Sequence, residues 1–186
     1  MTDQPQPDAA STRCGFVAII GAPNAGKSTL VNRLVGAKVT IVSRKVQTTR
    51  VPVRGILTAG TSQIVLIDTP GIFRPKRRLD RAMVGAAWGG VQDADLVVLL
   101  IDAAKGVDED VDGILERLAD RHGPKILALN KVDRLSDKST LLKLIEAITA
   151  RVAFDSVVMI SALLIVAITK AIPSDVFGEE ASDAKA

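Results

Sequence analysis

The chain has 186 residues, 47% of them hydrophobic, and this length and composition agree with one globular domain flanked by short tails. Cys14 is the only cysteine, which excludes a disulfide framework or a cysteine metal cluster and suits a reducing compartment. The formal net charge is +3, but residues 33–81 carry eleven basic side chains against Asp68 and Asp80. Such a segment attracts RNA phosphates if it faces outward, and otherwise only keeps its loops solvated.

Residues 1–12 are polar, contain two prolines and lack the apolar core of a signal peptide, so we expect a disordered arm there. The apolar run at 16–20 predicts a buried strand, and residues 28–35 predict a helix. The segment between them matches the P-loop pattern, in which glycines let the backbone wrap a phosphate at a helix N-terminus. A chance glycine turn is the alternative. The predicted phosphate-binding residues are Gly21, Asn24, Ala25, Gly26, Lys27, Ser28 and Thr29.

Residues 51–58 and 62–68 are separated by a short Ala-Gly-Thr turn and predict an antiparallel hairpin, with Pro52 placing its first strand at the sheet edge. Asp68 ends the second strand, where its carboxylate can meet Ser28 and a Mg²⁺ ion. Gly71 lacks a Cβ, so its N–H can approach a γ-phosphate. An ordinary Thr-Pro-Gly turn is the alternative. A helix is predicted over 79–91.

The apolar run at 126–129 predicts another strand, and Asn130-Lys131-Val132-Asp133 follows it. The Asp133 carboxylate can accept from the ring N–H and the amine of guanine together, whereas adenine presents an acceptor there. Lys131 can lie along the base and ribose. Ser161-Ala162, after a strand at 157–160, can supply an N–H to the guanine oxygen, although two such residues alone mean little. Helices are predicted over 108–121 and 138–152, and alternating strands and helices favour a mainly parallel α/β sheet.

Together these motifs closely resemble the translation-factor-like GTPases and, among them, the Era type of ribosome-assembly GTPase. The likeness covers residues 13–163 and includes Gln47-Thr48-Thr49-Arg50 and an Arg-Arg-Leu-Asp-Arg-Ala-Met segment at 77–83. It implies a G domain: a mostly parallel six-stranded sheet with one antiparallel edge strand and helices on both faces. It further implies GTP and GDP as ligands, slow GTP hydrolysis, and Mg²⁺ held by Ser28, Thr49 and Asp68. The predicted catalytic residues are Lys27, Thr49 and Gly71.

The resemblance also bears on how hydrolysis is assisted. Ile72 stands where Ras-type GTPases carry the glutamine that orients the attacking water. Some relatives with an asparagine matching Asn24 use K⁺ at the phosphates, where it would stand in for an arginine finger. The alternative is that Asn24 only caps the loop turn.

Era proteins continue into a KH domain that binds 16S ribosomal RNA, and no stretch here resembles it. We expect the G domain over 13–172, with an altered last helix because residues 163–172 lack a polar face, and a disordered acidic tail over 173–186. The partners implied are 16S rRNA and the small ribosomal subunit, for a cytoplasmic monomer, with peripheral association at the inner membrane face left open. The competing hypothesis is a truncated guanine-nucleotide-binding fragment without the RNA module.

Overall fold

The structure is a computed structural model, which describes residues 13–42, 51–75, 77–137 and 139–163. Alternating apolar runs and amphipathic segments form six strands and four α-helices in this part of the chain, with a short 3₁₀ helix at Val132–Arg134. The strands are β1 (Arg13–Ile20), β2 (Val53–Ala59), β3 (Ser62–Asp68), β4 (Leu96–Asp102), β5 (Lys125–Asn130) and β6 (Ser156–Met159). The helices are α1 (Lys27–Val35), α2 (Arg78–Gln92), α3 (Glu109–Ala119) and α4 (Ser139–Thr149).

The strands form one sheet in the order β2-β3-β1-β4-β5-β6. Only β2 and β3 pair antiparallel, and every other neighbouring pair is parallel. The hairpin turn is shorter than predicted, because β2 extends to Ala59 and Gly60 adopts a left-handed φ of 57° that closes the turn. The predicted mixed sheet with one antiparallel edge strand is confirmed, and β2 is that edge.

Helices cover both faces of the sheet, as predicted. Successive strand residues point to opposite faces, so β4 contributes Val97, Leu99 and Ile101 to one core and Leu96, Val98 and Leu100 to the other. Helix α1 packs on the second core, whereas α2, α3 and α4 pack on the first. Strands β4 and β5 are buried along their whole length, which explains their nearly continuous apolar sequences.

Several predicted boundaries shift by one to three residues. Helix α1 begins at Lys27, and α3 ends at Ala119 instead of continuing to residue 121. Asp108 lies outside α3 because its side chain accepts the N–H of Val111 and caps the helix. Helix α4 ends at Thr149 rather than at residue 152.

Some predictions concern residues outside the described part of the chain. These are the disordered arm at 1–12, the ligand role of Thr49, the altered helix beyond Leu163 and the acidic tail at 173–186. Among the described helices, none is long and apolar enough to cross a membrane.

Candidate nucleotide-binding site

Because β1, β3, β4, β5 and β6 run parallel, the loops after their carboxyl ends meet at one edge of the sheet. A cavity of about 700 Å³ opens there. Its volume lies within the usual range for small-molecule sites. It is lined by Pro23, Asn24, Gly26, Lys27, Ser28, Thr29, Val42, Thr69, Gly71, Asn130, Lys131, Asp133, Arg134, Ser161, Ala162 and Leu163.

The P-loop follows β1 and ends at the N-terminus of α1. Gly21 and Gly26 have φ values of 152° and 105°, which residues with a Cβ rarely adopt. A Cβ on Gly21 would lie 2.2 Å from the Leu100 carbonyl oxygen, and one on Gly26 would lie 2.3 Å from Asn130 Nδ2. The two glycines are therefore required by close packing as well as by backbone conformation. The loop leads the first amides of α1 to the cavity, where an anion would be stabilised.

Lys27 is buried at the base of the cavity. Its Nζ donates to the carbonyl oxygens of Gly21 and Ala22, both at 3.0 Å. Burial lowers the pKa of Lys27 to about 8, and the nearby Asp68 carboxylate opposes this shift. An anion entering the cavity would meet an ammonium group that burial has made easier to deprotonate.

Ser28 and Asp68 lie side by side, as the sequence predicted. Ser28 Oγ donates to Asp68 Oδ2 over 2.7 Å, and both residues are buried. A hydroxyl and a carboxylate are oxygen ligands of the kind that Mg²⁺ prefers. No group of three or more histidine, cysteine or acidic residues suited to a metal occurs in the described part of the chain. A hard cation here would therefore need ligands beyond Ser28 and Asp68, from a bound phosphate, from water or from residues outside that part of the chain.

The turn after β3 lies directly on the P-loop. Thr69 Oγ1 donates to the Ile19 carbonyl over 2.8 Å, and the Ile72 N–H donates to the Gly21 carbonyl over 3.1 Å. A Cβ on Gly71 would lie 3.0 Å from Pro23 Cα, which is tighter than most such contacts. A residue with a Cβ at position 71 would require Pro23 to shift by a small amount, whereas glycine fits against Pro23 as it is.

Asn130 joins three loops of the site. Its Nδ2 donates to the Ala25 carbonyl over 2.8 Å, and its Oδ1 accepts the Ala162 N–H over 2.9 Å. The residue is 1% exposed, so these bonds are protected from water. Because the Ala162 N–H is used in this way, a guanine oxygen would have to share or replace that bond.

Lys131 has a left-handed φ of 63° and extends towards the P-loop. Its Nζ donates to the Asn24 carbonyl over 2.7 Å and to Asp102 Oδ2 over 2.6 Å. Asp133, two residues further on, is exposed at the cavity. Among the described residues, the buried Ser161 Oγ has no hydrogen-bond partner, which leaves a polar atom available beside the cavity.

Most of the predicted nucleotide-binding residues line the cavity together. Gly21, Ala25 and Asp68 are buried behind it, and Thr49 lies outside the described residues. Sequence reasoning missed Asp102, although it ends an apolar strand just as Asp68 does. Pro23 and Thr69, which belong to the predicted motifs, also line the cavity. Sequence reasoning missed three further lining residues, namely Val42, Arg134 and Leu163.

The sheet order, the P-loop and the converging loops define a nucleotide-binding protein of the P-loop class. A family model described as 50S ribosome-binding GTPase matches residues 16–131, and the chain therefore belongs to this GTPase family.

Individual relatives are of the Era type. The chain is 62% identical to GTPase Era of Sinorhizobium medicae (strain WSM419) over 165 residues, 87% of this chain and 53% of that protein. It is 60% identical to GTPase Era of Bradyrhizobium sp. (strain ORS 278), over 88% of this chain and 53% of the relative. The chain thus spans about half the length of the curated relatives it matches.

Two solved structures are similar to the fold. One is a crystal structure of Era in complex with MgGDPNP and nucleotides 1506–1542 of 16S ribosomal RNA. Its TM-score is 0.82 at 33% identity, covering 95% of this chain and 60% of that one. The other is a single-substitution variant of Aquifex aeolicus Era bound to GDP.AlF4-, with a TM-score of 0.80 at 34% identity over 91% of this chain and 58% of that one. The likeness of the G domain to the Era type is confirmed.

Proposed function

We propose that this chain binds and hydrolyses GTP as a molecular switch of the Era type. One observation carries the proposal: Lys27 of the P-loop and Asp133 of the Asn130-Lys131-Val132-Asp133 motif line the same cavity. Asn130 connects their loops through a buried hydrogen bond to the Ala25 carbonyl, and a second bond, from the Ala162 N–H, adds the loop after β6. A phosphate group and a guanine base would therefore be bound by one connected structure.

Base selection is assigned to the Asp133 carboxylate. In the ionised state this carboxylate only accepts hydrogen bonds, so it matches the ring N–H and the amine of guanine. Adenine presents an acceptor there, so the carboxylate and the base would face each other without a hydrogen bond. The unpartnered Ser161 Oγ supports a polar ligand at this end of the cavity. Lys131 would lie beside the base and ribose.

Phosphate binding is assigned to the P-loop. Lys27 and the first amides of α1 would neutralise charge on the β- and γ-phosphates, which is the main requirement of phosphoryl transfer. Gly71 would bring its N–H near the γ-phosphate, so that the turn after β3 senses whether this group is present. Ser28 would hold Mg²⁺ directly, with Asp68 beside it and Thr49 as a further ligand. When bound, this ion would neutralise charge between the β- and γ-phosphates.

The attacking water has no side-chain base in this proposal. Ile72 is 5% exposed and apolar, so it cannot orient a water molecule. We assign charge neutralisation at the phosphates, the role of an arginine finger, to K⁺ held near Asn24. The φ of 62° at Asn24 places this residue at a turn of the P-loop beside the cavity. Slow intrinsic turnover is the consequence.

The biological setting proposed is small ribosomal subunit assembly, with 16S rRNA as partner. The solved Era complex with a 16S rRNA fragment supports this, together with the exposed arginines that precede and begin α2. Those side chains are Arg74, Arg77, Arg78 and Arg81. Phosphate attraction by such a group does not depend on the RNA sequence and falls steeply with salt.

The experiment combines nucleotide binding and turnover with the Asp133→Asn variant. An amide can donate to the xanthine carbonyl, so we expect GDP affinity to fall by about 2 to 4 kcal/mol while XDP affinity rises. Asp120→Asn is the matched control, because Asp120 is an exposed aspartate at the end of α3, away from the cavity lining. Unchanged GDP affinity in Asp133→Asn, or no release of phosphate from GTP by the unmodified chain, would contradict the proposal.

A further inference from the structure

Asp102 is a buried carboxylate that sequence reasoning did not connect with the site. It ends β4 directly opposite Asn130 in the pairing of β4 with β5. Its side chain is 8% exposed, and its Oδ2 lies 2.6 Å from Lys131 Nζ. Its Oδ1 accepts the Ala104 N–H over 3.1 Å, which fixes the carboxylate from the other side.

The partner ammonium is held from two directions. Lys131 Nζ also donates to the Asn24 carbonyl of the P-loop, and its side chain is only 18% exposed. Asn24 and Lys131 line the cavity, whereas Asp102 does not. Asp102 would therefore act on a bound nucleotide indirectly, and its contact with Lys131 is the one that leads to the cavity.

We propose that Asp102 is a positioning residue for guanine-nucleotide binding, which holds Lys131 against the P-loop and thereby slows nucleotide release. This inference depends on the proposed function. A charge-assisted pair out of water restricts the lysine to one geometry. Removing the carboxylate leaves the partly buried Lys131 ammonium with only the neutral Asn24 carbonyl as partner. The connection between the loop after β5 and the P-loop then weakens.

The first test is Asp102→Asn, which keeps the size of the side chain and an oxygen for the Ala104 N–H. The measurement is GDP dissociation from the full chain, followed by displacement of a fluorescent GDP analogue. We expect release about 30-fold faster, since truncating one partner of a buried pair acts mainly on the dissociation rate. Asp112→Asn is the matched control: it breaks the exposed pair with Arg151, also 2.6 Å, and should leave release unchanged.

A double-mutant cycle separates positioning from a general structural role. In a Lys131→Met background, Asp102→Asn should change GDP release less than twofold, because the ammonium that it positions is absent. If Asp102 acted only through the turn at Ala104, the full effect of Asp102→Asn would persist in that background. Persistence would overturn the inference, as would unchanged release in the single variant.

Folding of all four proteins is measured by circular dichroism. If Asp102→Asn alone does not fold but the double variant does, the unpaired ammonium is the cause and the coupling is supported. If neither folds, Asp102 acts independently of Lys131 and the inference is wrong. Failure of the unmodified chain to bind GDP would instead refute the proposed function, so the two failures are distinguishable.

Discussion

Asn130→Ala is expected to lower both the stability of the domain and its affinity for guanine nucleotides. The substitution removes the side-chain amide that connects the P-loop with the loops after β5 and β6. Two buried backbone groups then lose their partners: the Ala25 carbonyl and the Ala162 N–H. Ala25 and Ala162 are 2% and 5% exposed, so water cannot readily replace the amide.

The structure sets the size of the effect. A buried polar group left without a partner costs about 1 to 3 kcal/mol, so two such groups cost about 4 kcal/mol. This is a large fraction of the roughly 5 to 15 kcal/mol that stabilises a typical domain. For a chain of this size each kcal/mol lowers Tm by about 2 to 4 °C, so a drop of about 8 to 16 °C is expected.

The assay is thermal and urea unfolding without nucleotide, combined with titration of Mg²⁺-GDP. Asp133→Asn is the comparison variant. Because Asp133 is exposed, this variant should lose GDP affinity while its free energy of unfolding stays unchanged. Asn130→Ala should lose both. If Asn130→Ala unfolds at the same temperature and urea concentration as the unmodified chain, the two hydrogen bonds do not stabilise the site and the reasoning is refuted.

Three further predictions concern ions and RNA. Because the pKa of Lys27 is about 8 in the free protein and a bound phosphate favours its charged form, binding takes up a proton above that pH. GDP affinity should therefore fall about fourfold between pH 7 and pH 8.5, and a pH-independent affinity would contradict this. The Lys27→Arg variant, whose side chain stays charged, should show no such dependence of GDP affinity on pH. GTP hydrolysis should be faster in K⁺ than in Na⁺ at equal ionic strength, and Asn24→Ala should abolish the difference; equal rates in the unmodified chain would exclude K⁺ assistance. Ribosomal RNA should bind weakly, without sequence preference and with a steep salt dependence, through the basic segment at 33–81; nanomolar, sequence-selective binding in filter assays at physiological salt would refute this.

Local sequence determined the elements and most of the motif residues. Apolar runs predicted the buried strands, and the Pro52 and Gly60 positions predicted an antiparallel hairpin at the sheet edge. The order along the chain of the P-loop, the turn after β3 and the Asn-Lys-Val-Asp motif at 130–133 indicated a GTPase fold. These features are readable because each depends on residues within about ten positions of one another.

Tertiary structure alone decided how the site is held together. Asn130 contacts Ala25 across 105 residues, and Asp102 contacts Lys131 across 29, so neither bond follows from local spacing. The close approach of Pro23 to Gly71, which leaves little room for a side chain at residue 71, is likewise a property of the tertiary structure. Sequence therefore determined which chemical groups the loops carry, whereas sheet order determined which of them meet, because strands distant in the chain end at the same edge.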